Sequence, residues 1–166
     1  MCQPAIRTAR PADAPAVARI YIDSWNLGFR RLMPQREVTP GLVGRWEREL
    51  AAPRPRRWWV ATVDGAIAGF AGIGPSRDPA DPQLGELDTI AVAPALWRRG
   101  VGRALMAVAL DALRADGYRA AILWTLAGYP AGQRFYEATG WQPDGATRDE
   151  GRQIRYRHHL HEGAER

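Results

Sequence analysis

A chain of 166 residues, 46% of them hydrophobic, suits one domain with a core of its own and argues against disorder. All 23 basic residues are arginine, against 18 acidic ones, for a formal charge of +5; without lysine there can be no PLP Schiff base, no biotin or lipoate carrier and no G-x-x-x-x-G-K-[ST] phosphate loop. The only serines, Ser24 and Ser76, lie outside any G-x-S-x-G, which argues against a serine hydrolase.

In chain order, the lone Cys2 has no partner for an internal disulfide and is a poor nucleophile so close to a terminus. No basic-then-apolar leader follows it, and no apolar run nears the roughly 20 residues that span a bilayer, so a cytoplasmic protein with no membrane partner is expected. Residues 4–9 predict a short strand. Asp13 predicts an N-cap, because Val17, Ile20, Tyr21, Ser24 and Trp25 follow at helical spacing up to a stop at Gly28. A second helix is predicted over 39–51, with Thr39 as cap and Pro40 at its first position. Residues 58–63 and 66–73 read as strands joined by Asp64-Gly65, a pair suited to positive φ at both turn positions and hence to a two-residue hairpin. The stretch 74–83, with Pro75, Pro79 and Pro82, predicts a loop, and Leu84 to Ala93 a strand ending at Pro94. Leu105, Val108, Ala109, Ala112 and Leu113 form the apolar stripe of a helix over 101–116, closed by Gly117. Residues 120–126 read as a strand covered on both faces, 130–139 as a helix stopping at Gly140, and 141–146 and 152–160 as strands that pair. Strands followed by strand–helix–strand predict α/β or α+β packing around a mixed sheet, in a single domain over residues 1–166.

The stretch from Ile90 to Leu105 carries the most chemistry. A buried strand runs into a loop with Gly100 and Gly102, and the loop opens a helix. Backbone N–H groups at a helix N-terminus lack intrahelical partners and sit at the positive end of the helix dipole, so they can hold an anion without any side chain. Arg98, Arg99 and Arg103 add charge, and the glycines let a diphosphate come close. The Rossmann fingerprint fails, since Leu105 stands in place of its third glycine.

Trp97-Arg98-Arg99-Gly100-Val101-Gly102, after a strand ending Ala-Val-Ala-Pro, resembles the [QR]-x-x-G-x-[GA] acetyl-CoA loop of the GCN5-related N-acetyltransferases. Arg134-Phe135-Tyr136-Glu137-Ala138-Thr139-Gly140-Trp141 resembles that family's F-Y-E-x-x-G-F segment. The resemblance covers nearly the whole chain. It implies a mixed, mostly antiparallel sheet of six to seven strands with a central splay, flanked by about four helices. It also implies acetyl-CoA as co-substrate and direct transfer of acetyl to a primary amine in a ternary complex, with no metal. Backbone amides of residues 98–103, including Arg98, Arg99, Gly100, Val101, Gly102 and Arg103, would hold the diphosphate, and the strand through Ile90, Ala91 and Val92 would pair with the pantetheine arm. Trp97 departs from the usual Gln or Arg. Tyr129 stands where many members have Asn, which bears on a cofactor hydrogen bond often made there.

An alkyl amine with pKa near 10 is only about 0.1% neutral at pH 7, a shortfall of about 4 kcal/mol that calls for a base, direct or through water. Glu86 and Asp88 stand two residues apart on a predicted strand, expected on one face about 7 Å apart and shared with Ile90 and Val92. By the resemblance Glu86 ranks first as base and Asp88 second, and Tyr136 follows the family tyrosine that can protonate the leaving thiolate. Trp25, Asn26, Phe29, Arg30, Arg31, Leu32 and Met33 resemble one wall of the acceptor site, with Arg155 and Tyr156 as the other. Arg30, Arg31 and Arg155 point to a carboxylate or phosphate on the acceptor, a small-molecule or peptide amine. His158, His159 and His161 alternate on a terminal strand with no Cys or Asp partner nearby and read as a solvated tail. Two rivals predict otherwise: a non-catalytic acyl-CoA binding module, and a nucleic-acid binder drawn from the net charge, although no dense basic run supports nucleic acid as a partner. A homodimer is left open.

Overall fold

The computed structural model describes residues 3–77 and 81–161; Cys2 and Pro79 lie outside them. Strand β1 (Ala5–Thr8) leads through a 3-10 turn at Pro11–Asp13 into helix α1 (Ala14–Gly28). Asp13 precedes α1 as expected but does not cap it. The turn holds it at φ −79, ψ −9, a helical conformation rather than the extended one from which a cap side chain reaches back to the first amides. Its carboxylate instead accepts both Arg7 guanidinium nitrogens at 2.8 Å and the Arg10 backbone N–H at 2.8 Å. Helix α2 (Pro40–Leu50) starts as predicted, with the Thr39 hydroxyl accepting from Leu42 N–H at 3.1 Å.

Strands β2 (Arg57–Val63) and β3 (Ala66–Pro75) form the predicted hairpin, with φ of +50 at Asp64 and +80 at Gly65. β3 continues two residues into the expected loop, because Gly74 and Pro75 still pair with Glu86 and Gly85 of β4 (Leu84–Val92). A 3-10 turn at Pro94–Leu96 leads to α3 (Val101–Ala115), then β5 (Ala120–Leu126), α4 (Pro130–Ala138), β6 (Gln142–Arg148) and β7 (Gln153–His159). The seven strands make one sheet in the order β1-β2-β3-β4-β5-β7-β6, and the β4–β5 pair alone is parallel. One face is covered by α3, whose Met106, Ala109, Leu110 and Leu113 pack on Leu87, Leu123, Trp141 and Tyr156, with Phe135 and Tyr136 of α4 against the same core. On the other face Val17 and Ile20 of α1 and Trp46 and Leu50 of α2 pack on Trp58, Val60 and Phe70. Two apolar faces on one sheet make a three-layer molecule.

Strand β4 departs from regularity in two places. It pairs with β5 only through Leu84, Gly85 and Glu86 against Ala120, Ala121 and Ile122. Beyond Glu86 the two strands part, leaving facing backbone edges unpaired. The second irregularity is a bulge: Thr89 lies opposite Gly72 but Leu87 opposite Ile73, so Asp88 is an extra residue in the ladder. A bulge reverses the alternation of side chains beyond it. Leu87 and Ile90, three residues apart, accordingly both pack on the α3 side. Glu86, next to Leu87, therefore faces the other way, and the expectation that it shares a face with Ile90 and Val92 is corrected.

Candidate active site at the splay of β4 and β5

A cavity of about 850 Å³ fills the gap where β4 and β5 separate. At one end stands the start of α3. Gly100 precedes the helix at φ +86, a left-handed conformation that favours glycine, and no side chain caps the helix. The first helical hydrogen bond runs from Ala104 N–H to Gly100 O at 3.1 Å, so the amides of Val101, Gly102 and Arg103 have no partner within the helix. A Cβ on Gly102 would sit 3.3 Å from Phe135 Cζ; glycine there lets α3 and α4 close on each other beside the cavity. Arg98 and Arg103 line the cavity, Arg99 is exposed beside it, and the Val101 side chain is buried in the core below, so only its amide is on offer.

Along the cavity runs the open edge of β4. Ala93 N–H donates to Ala68 O at 2.8 Å, which makes Val92 and Gly69 a pair not bonded to each other. The N–H and C=O of Val92, and by alternation those of Ile90, thus point away from β3 into the splay. The Val92 carbonyl accepts from Trp97 Nε1 at 2.7 Å. Ile90, Ala91 and Val92 all line the cavity.

The far end is aromatic. Tyr21, Trp25, Phe29 and Met33 come from α1 and the segment after it, and Trp124 from β5. Trp25 meets Phe29 edge-on at 4.9 Å, and Phe29 meets Tyr129 at 4.8 Å. The Tyr129 ring fills the space over Gly132, where a Cβ would lie 2.6 Å from it, and its hydroxyl reaches Gly28, so it bridges the start of α4 and the end of α1.

Of the titratable groups in and around this chamber, Asp88, Glu86 and Tyr136 are the candidates for proton transfer. Asp88 lines it, but its Oδ2 accepts from Arg56 at 2.7 Å and from Arg77 at 2.9 Å. Glu86 is not among the lining residues, and it accepts from Arg77 N–H at 3.1 Å. Burial pushes its carboxyl above the usual range and the Asp88 charge adds to this, while the Arg77 N–H and the charges of Arg77 and Arg148 oppose it. Tyr136 lines the cavity, and burial drives its hydroxyl far above the ordinary tyrosine range, so it holds its proton at any working pH.

Not all the expected residues gather here. Tyr156 is 1% exposed, packs in the α3-side core and donates to Glu137 at 3.1 Å, so it forms no wall of the chamber. Its neighbour Arg155 is tied to Asp144 at 2.7 Å, and neither it nor Arg30 lines the cavity. Asn26 is spent on the backbone of Arg36, with two hydrogen bonds of 2.8 Å. Conversely, Trp124, Tyr21 and the Arg56–Arg77 pair were not singled out as site residues. Trp124 could have been, since it stands near the C-terminal end of a central strand, where crevices form; Arg56 and Arg77 become neighbours of Asp88 only through the fold.

The acetyltransferase (GNAT) family model matches residues 15–141. The chain belongs to this family. Phosphinothricin N-acetyltransferase of Streptomyces viridochromogenes is 29% identical to this acetyltransferase over 152 residues, 88% of this chain and 78% of that one. A crystal structure described as a GNAT-family acetyltransferase from Desulfovibrio desulfuricans has a TM-score of 0.77 and 28% identity, covering 96% of this chain and all of that one. An acetyltransferase of Salmonella typhimurium, solved with its cofactor acetyl-CoA, has a TM-score of 0.74 at 20% identity and covers 98% and 97%. Acetyl-CoA is the family's co-substrate, and the residues present fit it. The acetyltransferase offers unpartnered amides and two arginines where a diphosphate would lie, a strand edge free of a partner strand where amides of an extended arm could pair, and an aromatic-walled space beyond.

Proposed function

We propose that this acetyltransferase moves acetyl from acetyl-CoA to a primary amine held in the aromatic chamber, by direct attack in a ternary complex. The observation that carries the reading is that Gly100, Gly102 and Arg103 at the helix start, the open β4 edge, Tyr136 and the aromatic chamber all border one cavity. Acetyl-CoA supplies the activated acyl group; the protein's residues orient it and manage protons. The amides of residues 98–103 grip the diphosphate, and the edge at Ile90 and Val92 aligns the arm. A main-chain N–H of that edge can meet the negative charge that develops on the acyl oxygen.

Glu86 is the stronger candidate for the base. Its raised pKa brings it nearer the amine it must deprotonate, and since it does not line the cavity it acts through a water. Asp88 is closer but is held by two guanidiniums, which suits it to positioning. Tyr136, protonated throughout, is the hydrogen-bond donor that steadies the departing thiolate, whose proton comes from the one the amine sheds. Trp25 and Phe29 wall the acceptor chamber.

The test is thiol release from acetyl-CoA with a panel of amines, including phosphinothricin, the acceptor named for one relative, amino acids and a peptide N-terminus. An amine-dependent release is expected for at least one class. Tyr136→Phe should lower kcat about tenfold or more with little change in the KM for acetyl-CoA. CoA binding without release for any amine would favour a non-catalytic acyl-CoA module.

A further inference from the structure

The loop from β4 to α3 has few ties of its own. Leu96 N–H donates to Ala93 O at 2.8 Å and Trp97 N–H to Pro94 O at 3.2 Å, closing the short 3-10 turn. Arg98 and Gly100 beyond it both adopt left-handed conformations, at φ +62 and +86. Among the described residues one side-chain hydrogen bond ties this loop back to the strand it leaves, from Trp97 Nε1 to Val92 O at 2.7 Å. Five of the seven tryptophans have a buried indole N–H with no partner, so pairing of this one is not the protein's default.

The place of the bond gives it meaning. Val92 is the last residue of β4, and its carbonyl points into the splay. The indole fills the final acceptor of the open edge, and its ring lines the cavity along which an extended arm would lie. On one side of the loop is a strand fixed in the sheet; on the other is a helix packed on that sheet. The Trp97 bond ties the middle of that connection to the end of the strand.

We infer that Trp97 is a positioning residue that sets the distance between the diphosphate-gripping amides at the start of α3 and the pairing edge of β4, so that acetyl-CoA engages both at once. The inference rests on reading the cleft as the acetyl-CoA site. A ligand held only at the helix end does not sense this spacing, whereas one that spans both ends gains from having it fixed in advance.

Trp97→Phe keeps a ring in place and removes the N–H. Calorimetry would compare CoA with its phosphoadenosine diphosphate half, which lacks the arm. CoA should weaken about five- to tenfold, the worth of one hydrogen bond, and the half-molecule should bind as before. In turnover the KM for acetyl-CoA should rise while kcat at saturation holds. Should Trp97→Phe not fold, Trp97→Leu, which also lacks a donor, carries the same comparison. Equal weakening of both ligands, or unchanged CoA affinity, overturns the inference. Failure of the unaltered protein to bind CoA would instead remove the reading of the cleft on which it rests.

Discussion

Glu86 and Asp88 stand two residues apart in a strand, yet the bulge at Asp88 and the arginines around it give them different work. Two guanidiniums hold Asp88 at 2.7 and 2.9 Å. Glu86 is pushed up by burial and by that neighbouring charge. A base with a raised pKa is deprotonated only above it, so the rate should climb with pH through a midpoint above the ordinary glutamate value of about 4.3. Glu86→Gln should lower kcat about a hundredfold and remove this limb; Asp88→Asn should cost less and leave it in place. The sign for stability is opposite. The folded protein holds the Glu86 proton to higher pH than the unfolded chain, so this contribution is full below the unfolded pKa and is lost as pH rises through the folded one. Glu86→Gln should therefore melt at the same temperature as the parent at pH 7, or higher. Paired pH–rate profiles and thermal melts check both halves, and an unchanged rate would assign the base elsewhere. The candidate carboxylates were legible in the sequence from type and spacing. Which of them is free to act was not, because Arg56 and Arg77 lie 32 and 11 residues from Asp88.

At the scale of elements, turn and cap chemistry predicted most boundaries. Asp64-Gly65 takes the two positive φ values its hairpin needs, and Thr39 caps α2. Asp13 shows where such reading stops. A capping residue in front of an amphipathic stretch was legible, but the 3-10 turn that redirects it and its pairing with Arg7 depend on how β1 sits beside α1. The pair joins the first strand to the helix start, and the Arg7 guanidinium holds the Asp13 carboxyl below its usual range. A lowered carboxyl pKa stabilises above the unfolded value and is lost as pH falls through the folded one. Asp13→Asn should cost about 1–3 kcal/mol at pH 7 and less at pH 3, below the ordinary aspartate value of about 3.9, where the parent has begun to lose the same contribution. Urea melts at the two pH values decide it; an equal cost at both would mean that packing rather than charge holds the junction.

Over the whole molecule, the order of strands and helices was legible because each element announces itself locally. The opening between β4 and β5 was not, since it depends on where a parallel pair stops pairing, and periodicity along one strand carries no trace of that. Resemblance alone anticipated it. The bulge went unread for the same reason, and with it the face on which Glu86 lies. Both features serve one arrangement, in which a sheet parts at its middle beside a helix start with unspent amides. Amide NMR spectra of the protein titrated with CoA test that arrangement most directly. The account predicts that the Gly100, Val101, Gly102 and Arg103 amides shift with CoA and equally with its phosphoadenosine diphosphate half, while Ile90 and Val92 shift only with the intact molecule. Binding that leaves the four helix-start amides unmoved would contradict it.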